Sequence, residues 1–293
     1  MTRWEDVATR DVPLAPLTTY KLGGSARYLA TPEREQDLLR IAGLLGDDPL
    51  PVVVLGRGSN VLVSDRGFDG LVIRLGGGFS WVSIGETIGA GSATPLPLLA
   101  RTSAKAGRSG LEFYVGIPGS VGGALMMNAG CHGSDTKDVL VTASILDLSD
   151  GAKRHLDAKA LELSYRHSNL GPLHVVLQAE FATESADAAD CERRIREITR
   201  WRKAHQPGGV LNAGSVFKNP SGDSAGRLID RAGLKGLTMG GARISPVHAN
   251  FIEAGRDATA LDVYRLIRTV QAKMEERGIH LEPEVRFLGD FED

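Results

Sequence analysis

Two glycine-rich stretches hold the first chemistry that can be read from this chain. The run VVVLGRGSNVLVSD, residues 52–65, places Gly56 and Gly58 on either side of Arg57 and follows them with Ser59 and Asn60. Consecutive backbone N–H groups in such a loop can form a concave anion site, to which the serine and the asparagine add donors. A glycine pair directly after a strand invites comparison with a Rossmann fingerprint, but Val61 stands at the third glycine position and the following VLVSD is strand-like. The turn glycines of an ordinary hairpin would look much the same. The second stretch runs through Gly116, Ile117, Pro118, Gly119, Ser120, Gly122, Gly123, Asn128, Ala129 and Gly130. Its glycines and proline argue against the interior of a regular element. Without Cβ atoms, the backbone can lie flat against a planar ligand or a pyrophosphate. Two such stretches in one domain point to a large nucleotide cofactor. No GxxxxGK(S/T) sequence occurs, so a P-loop does not hold it.

These loops need elements to carry them. Thr31 and Pro32 read as the start of a helix with an apolar stripe of Leu38, Leu39, Ala42 and Leu45. Pro51–Leu55 is too short for a helix and rich in β-branched residues, so it reads as a buried strand, as do residues 71–75 and 139–148. A further helix opens at Thr94-Pro95 and ends at Gly107. Residues 190–203 form a charged amphipathic helix with Ile195, Ile198 and Trp201 on one face and Glu192/Arg196 as an i,i+4 pair. Another, about 259–277, carries Leu261, Tyr264, Ile267, Val270 and Met274, with Gly278 just past its end. Helices and strands mixed without a regular βαβ beat define an α+β fold. The small polar stretch ESADAAD sets a break near 187–190, giving expected domains of 18–187 and 188–293.

Composition narrows the function classes. The 293 residues are enough for about two domains with cores of their own. Lys+Arg 34 against Asp+Glu 36 leaves a net charge of −2, which offers no basic field for nucleic acid. Glycine, at 36 residues, is well above its usual share, consistent with many tight turns and close approaches. Cys131 and Cys191 have no zinc-like spacing, and the histidines carry no metal pattern, so no metal is expected and a reducing compartment fits. The start, MTRWEDVATRDVPL, lacks an apolar signal region, and no apolar run is long enough to span a bilayer. A cytoplasmic protein without membrane insertion is expected.

Seven strings then carry a family resemblance, in order along the chain: TTYKLGGSARY (18–28), LGRGSNVLVSDRGFDGLVI (55–73), GLEFYVGIPGSVGGALMMNAG (110–130), YRHSNL (165–170), NAGSVFKNP (212–220), AGRLIDRAGLKG (225–236) and LEPEVRFLG (281–289). Together they resemble the bacterial UDP-N-acetylenolpyruvoylglucosamine reductases, flavoenzymes of peptidoglycan synthesis. The resemblance implies an FAD-binding domain of the vanillyl-alcohol-oxidase (PCMH) type, with non-covalent FAD held by the two glycine stretches. It also implies a C-terminal α+β domain for a small-molecule substrate, UDP-N-acetylglucosamine-enolpyruvate, with NADPH as co-substrate.

The same resemblance assigns catalytic roles to Arg166, Ser215 and Glu284. By themselves these residues read plainly. Arg166 could be a surface arginine and Ser215 a turn serine. Strand alternation puts Leu281, Pro283, Val285 and Phe287 on one face and Glu282, Glu284 and Arg286 on the other, so nothing in the periodicity selects Glu284 over Glu282. Substrate contacts implied for the diphosphate are Arg202, Lys218, Asn219 and Lys235, with Arg243 a weaker candidate; a solvated face is their ordinary alternative. Cys131 reads as a small packed side chain. Two features depart from the family pattern: Glu253-Ala254 replaces the usual valine and asparagine after HANF, and no tyrosine lies between Arg166 and Ser215, as in a shorter form lacking a tyrosine-bearing loop. Two rivals stand beside the reductase, a flavin oxidase of an alcohol or sugar and a non-catalytic flavin- or nucleotide-sugar-binding protein. Asn60, where such an oxidase might tether its flavin, argues against the first. The three catalytic types present together argue against the second.

Overall fold

In the computed structural model, residues 3–291 are described. Met1 and Thr2, where the segment read for a signal begins, and Glu292 and Asp293, the end of the expected second domain, lie outside them. The fold is α+β, and the chain divides into two compact units: residues 1–10, 28–57 and 70–202, and residues 11–27, 58–69 and 203–293.

The first unit is built on a five-stranded antiparallel sheet. Its strand order is Lys153–Leu156, Leu140–Asp147, His174–Phe181, Ile88–Gly91, Val82–Ile84. The helices Leu96–Lys105 and Ala188–His205 share a core with this sheet that includes Leu99, Leu111, Tyr114, Phe181 and Ile195. A second core packs the helix Glu35–Asp47 with the parallel pairing Val52↔Leu71, Val53↔Val72, Val54↔Ile73. That helix starts later than the Thr31-Pro32 signal implies, because the Asp37 carboxylate accepts the N–H groups of Glu33 and Arg34 and caps it there. Its buried stripe is Leu38, Ile41 and Leu44, whereas Leu39 is exposed. The helix after Thr94-Pro95 spans Leu96–Lys105, and Gly107 follows it at φ +64°, as the sequence indicates.

The second glycine stretch corrects an expectation, because it contains a helix, Val121–Met127, with two glycines inside it. Burial of Val121, Ala124 and Leu125 offsets the poor glycine propensity. A Cβ on Gly122 would come within 3.3 Å of the Ser92 Cβ, so the missing side chain permits the close approach.

The second unit contains the sheet Thr238–Met239, Ala242–Ile244, Ile252–Ala254 and a parallel pairing of Arg286–Leu288 with Val61–Val63. The helix Ala260–Glu275 buries Val263, Leu266, Ile267, Val270 and Met274 in this unit's core. Only part of the stripe read from the sequence is in the core, since Leu261 and Tyr264 are half-buried. Gly278 follows at φ +71°.

The division departs from a single break at 187/188. Cys191 and Ile195 belong to the first unit's core, so most of the helix Ala188–His205 goes with that unit. Conversely, Tyr20 is fully buried in the second unit and donates its hydroxyl to Ile252 O at 3.2 Å. The Asp65 carboxylate there accepts the N–H groups of Ala260 and Leu261, at the start of the long helix. These are pairings between residues about two hundred positions apart, which no local composition shift can mark. Among the described residues no helix is long and apolar enough to cross a membrane.

Candidate active site

The first unit holds a pocket whose empty space, its open mouth included, is about 740 Å³. Gly56, Arg57, Ser120, Gly122 and Gly123 line it, which brings members of both glycine stretches to one site. A Cβ at Gly56 would lie 2.6 Å from Ser120 Oγ, so glycine keeps that wall open. Arg57 is held by its Nε–H, which donates to Pro118 O at 3.3 Å. Three further polar lining residues, Arg74, Ser92 and His174, were not picked out from the sequence. Arg74 directly follows a strand and Ser92 a run of small residues, neither of which is a distinctive signal. The rest of the wall is apolar and includes Leu55, Leu75, Met126 and Val176.

Buried Ser92 Oγ has no hydrogen-bond partner among the described residues. An orphaned hydroxyl, two guanidinium groups and side-chain-free backbone beside an apolar wall suit a ligand that is both aromatic and anionic. A dinucleotide such as FAD meets that description.

The other expected cofactor residues have different surroundings. Gly119 O accepts the N–H of Leu96, Ile117 N–H donates to Tyr114 O, and Ala129 O accepts both the N–H and the hydroxyl of Thr136. In the second unit Gly58 is at φ +62°, and a Cβ there would lie 2.4 Å from Leu17 O, so the turn requires glycine. Ser59 is half-buried. The Asn60 amide donates to Glu284 O at 2.9 Å, while Asn60 O accepts the N–H of Arg286. Buried Asn128, in the left-handed conformation at φ 40°, donates to Asp135 Oδ2 and Ser164 O and accepts the N–H of Lys137. Both donors and the acceptor of its side chain are thus engaged within the protein, and Ser164 opens the turn that carries Arg166.

That turn, closed by mutual backbone hydrogen bonds between Ser164 and His167, holds Arg166 at φ +53°. The guanidinium donates to Gly130 O at 2.9 Å and lies over the Tyr165 ring. Gly116 packs close to Cys131, Ile198 and Arg202. Burial pushes the Cys131 thiol up to about 11, against the opposing pull of Arg202 and Arg166. Burial also lowers the pKa of Arg202. That of His132 falls for the same reason, reinforced by the Arg202 charge. Arg166 and Arg202 therefore belong to one cationic neighbourhood beside Gly116, Gly130 and Cys131. Trp201 is exposed and packs edge-on to His132 at 5.0 Å between ring centroids.

In the second unit, Ser215 and Glu284 lie on two facing segments. The N–H of Glu284 donates to Val216 O at 2.7 Å, and the N–H of Lys218 to Glu282 O at 2.9 Å, with Phe217 bridging to Pro283. Ser215, Lys218 and Glu284 are thereby brought together. The expected long strand is corrected: regular pairing covers only Arg286–Leu288, and Val285 lies in a bend. Leu281, Val285 and Leu288 are buried while Phe287 is exposed, so the two-residue alternation breaks at the bend.

The two glutamates consequently differ. Glu282 is exposed and paired with Lys218 at 2.7 Å, whereas Glu284 is half-buried. Lys235 pairs with Asp230 at 2.7 Å, and Asn219 Oδ1 accepts the N–H of Ala225. Arg243 is paired across the sheet with buried Glu253 at 2.6 Å, which gives the unusual glutamate a structural partner. Among the described residues no His/Cys/Asp/Glu group could hold a metal ion.

A family profile described as an FAD binding domain matches residues 26–157, and one for the UDP-N-acetylenolpyruvoylglucosamine reductase C-terminal domain matches residues 206–288. A flavin-binding domain followed by a dedicated C-terminal domain is the organisation of a flavin-dependent oxidoreductase. The UDP-N-acetylenolpyruvoylglucosamine reductase of Caulobacter sp. (strain K31) is 44% identical over 290 residues, covering 95% of this chain and 94% of that protein. That of Rubrobacter xylanophilus is 44% identical over 284 residues, with 96% and 95% covered. The crystal structure of the Thermus caldophilus enzyme superposes with a TM-score of 0.85 at 40% identity, covering 96% of this chain and 99% of that one. The chain belongs to the UDP-N-acetylenolpyruvoylglucosamine reductase family.

Proposed function

We propose that this protein reduces UDP-N-acetylglucosamine-enolpyruvate to UDP-N-acetylmuramate with NADPH and FAD, a step of peptidoglycan synthesis in the cytoplasm. Similarity to the reductases over nearly the whole chain is the observation that carries this reading.

Gly56, Arg57, Arg74, Ser92, Ser120, Gly122 and Gly123 would bind FAD, the guanidinium groups taking the diphosphate and Ser92 Oγ gaining its missing partner. Held there, FAD would supply the hydride chemistry that links NADPH to the β-carbon of the enolpyruvyl group. Negative charge then develops on the α-carbon and its carboxylate. Arg166, fixed by Gly130 O, supplies a cation whose orientation is set before the reaction. Glu284, protonated or hydrogen-bonded to the substrate carboxylate, stabilises the same charge. Ser215 delivers a proton from its hydroxyl to the α-carbon, a target basic enough for so weak an acid. Arg202, Lys218, Asn219 and Lys235 would take the diphosphate. Lys218 and Lys235 would exchange their present carboxylate partners for it.

A preparation carrying FAD should bleach anaerobically with NADPH and regain its colour only when the enolpyruvyl substrate is added. Recovery with an alcohol-derived carbonyl compound instead, or no recovery at all, would favour the oxidase or the binding protein. The flavin should also be non-covalent. His174 lines the pocket, yet its Nδ1 accepts the N–H of Gly171 and its Nε2 lies 3.6 Å from Asp147. Acid or heat precipitation is therefore expected to release intact FAD into the supernatant. Flavin absorbance left in the pellet would refute this.

A further inference from the structure

The string His248-Ala249-Asn250-Phe251 has no role in the chemistry above, yet its asparagine bonds to the segment that carries Ser215. Asn250 is only 3% exposed. Its Oδ1 accepts the N–H of Phe217 at 2.9 Å, its Nδ2 donates to Phe217 O at 2.8 Å, and its main-chain O accepts the N–H of Val216 at 2.9 Å. The side-chain amide thus pairs with both polar groups of one residue, as a neighbouring strand would. On the other flank Val216 O accepts the N–H of Glu284, and the N–H of Lys218 reaches Glu282 O. The main-chain groups of Val216 and Phe217 are therefore all satisfied. Just ahead of this pinned pair, Gly214 turns the chain at φ +73°, its N–H held by Asn212 Oδ1 at 3.0 Å. Ser215 is the one residue between the turn and the ladder.

We propose that Asn250 is a positioning residue for Ser215, its buried amide clamping Phe217 on both sides so that the serine hydroxyl is held where it delivers a proton. A leucine would fill similar volume and bury more apolar surface, but it would leave the Phe217 N–H and C=O without partners. An aspartate would keep the acceptor and lose the donor. Asparagine is the side chain that supplies both at this reach. The proposal deepens the reductase reading and rests on it. If the flavin of the unaltered enzyme is not reoxidised by the enolpyruvyl substrate at all, that reading fails rather than this one.

The test is a double-mutant cycle on the FAD-loaded enzyme, with Asn250→Ala and Ser215→Ala made singly and together. Flavin content, the rate of flavin reduction by NADPH, substrate affinity from flavin absorbance titration and the rate of reoxidation by substrate are all measured. Asn250→Ala should slow reoxidation by up to about 10²-fold, the cost of a reacting group displaced by about 1 Å. The other three quantities should change by less than about threefold. In the Ser215→Ala background the same substitution should cost less than about threefold more, since a missing hydroxyl cannot be misplaced. A loss that multiplies in full in that background, or equal slowing of both half-reactions, overturns the proposal. Should Asn250→Ala fail to fold, Asn250→Asp runs the same cycle with a single clamp bond removed. If neither gives flavin-loaded protein, Asn250 serves stability alone and the proposal falls.

Discussion

Ser215→Ala is expected to leave reduction of the bound flavin by NADPH nearly unchanged while slowing its reoxidation by the enolpyruvyl substrate at least ~10²-fold, the usual range of general acid catalysis being about 10²–10⁴. The asymmetry follows from what each half-reaction needs. Hydride arrival from NADPH requires no proton at the substrate α-carbon, whereas completing the reduction of the enolpyruvyl group does. The fold should tolerate the change, since Ser215 is only half-buried and the neighbouring ladder is made by main-chain groups of Val216 and Lys218. Stopped-flow absorbance of the flavin, monitored separately in each direction, reads both rates. Equal slowing of the two would mean that the substitution disturbs the cofactor or the fold, and Ser215 would lose its role as proton donor.

The sequence disclosed unevenly what the structure contains. The glycine stretches were legible because glycine is informative where backbone must turn or come close. Gly56, Gly122 and Gly123 do line the pocket together. Arg74, Ser92 and His174 escaped notice because each sits in an unremarkable stretch, and only the folded sheet brings them to the same cavity. The unit division was illegible for a related reason. Residues 11–27 and 58–69 join the second unit through Tyr20, the Val61–Val63 pairing and Asp65, all contacts of long sequence separation. Asn60 and Asn128 show a different limit. Both are expected cofactor donors from their place in glycine-rich loops, and within the protein the Asn60 amide reaches Glu284 O while the Asn128 side chain supports the Arg166 turn. Residue type announced a hydrogen-bonding task without saying which partner would be served.

Periodicity does not separate Glu282 from Glu284, whereas their surroundings in the structure differ. Glu284→Gln is expected to slow flavin reoxidation by the substrate by about 10²-fold or more, in the range seen when a single transition-state stabilising contact is removed. Glu282→Gln should leave that rate close to wild type. Two residues apart along an extended chain the carboxylates are separated by roughly 6–7 Å, so one cannot replace the other within hydrogen-bond reach of a single intermediate. Their surroundings differ as well: Glu284 is half-buried with its main chain held by Val216 and Asn60, while Glu282 is exposed and engaged with Lys218. Breaking that exposed ion pair should change stability by no more than about 1 kcal/mol. It also frees the Lys218 ammonium, so any effect of Glu282→Gln should fall on the apparent substrate affinity and not on the reoxidation rate at saturation. Stopped-flow reoxidation across a range of substrate concentrations separates the two effects. If Glu282→Gln lowers the saturating rate as far as Glu284→Gln does, the catalytic carboxylate has been placed two residues out of register.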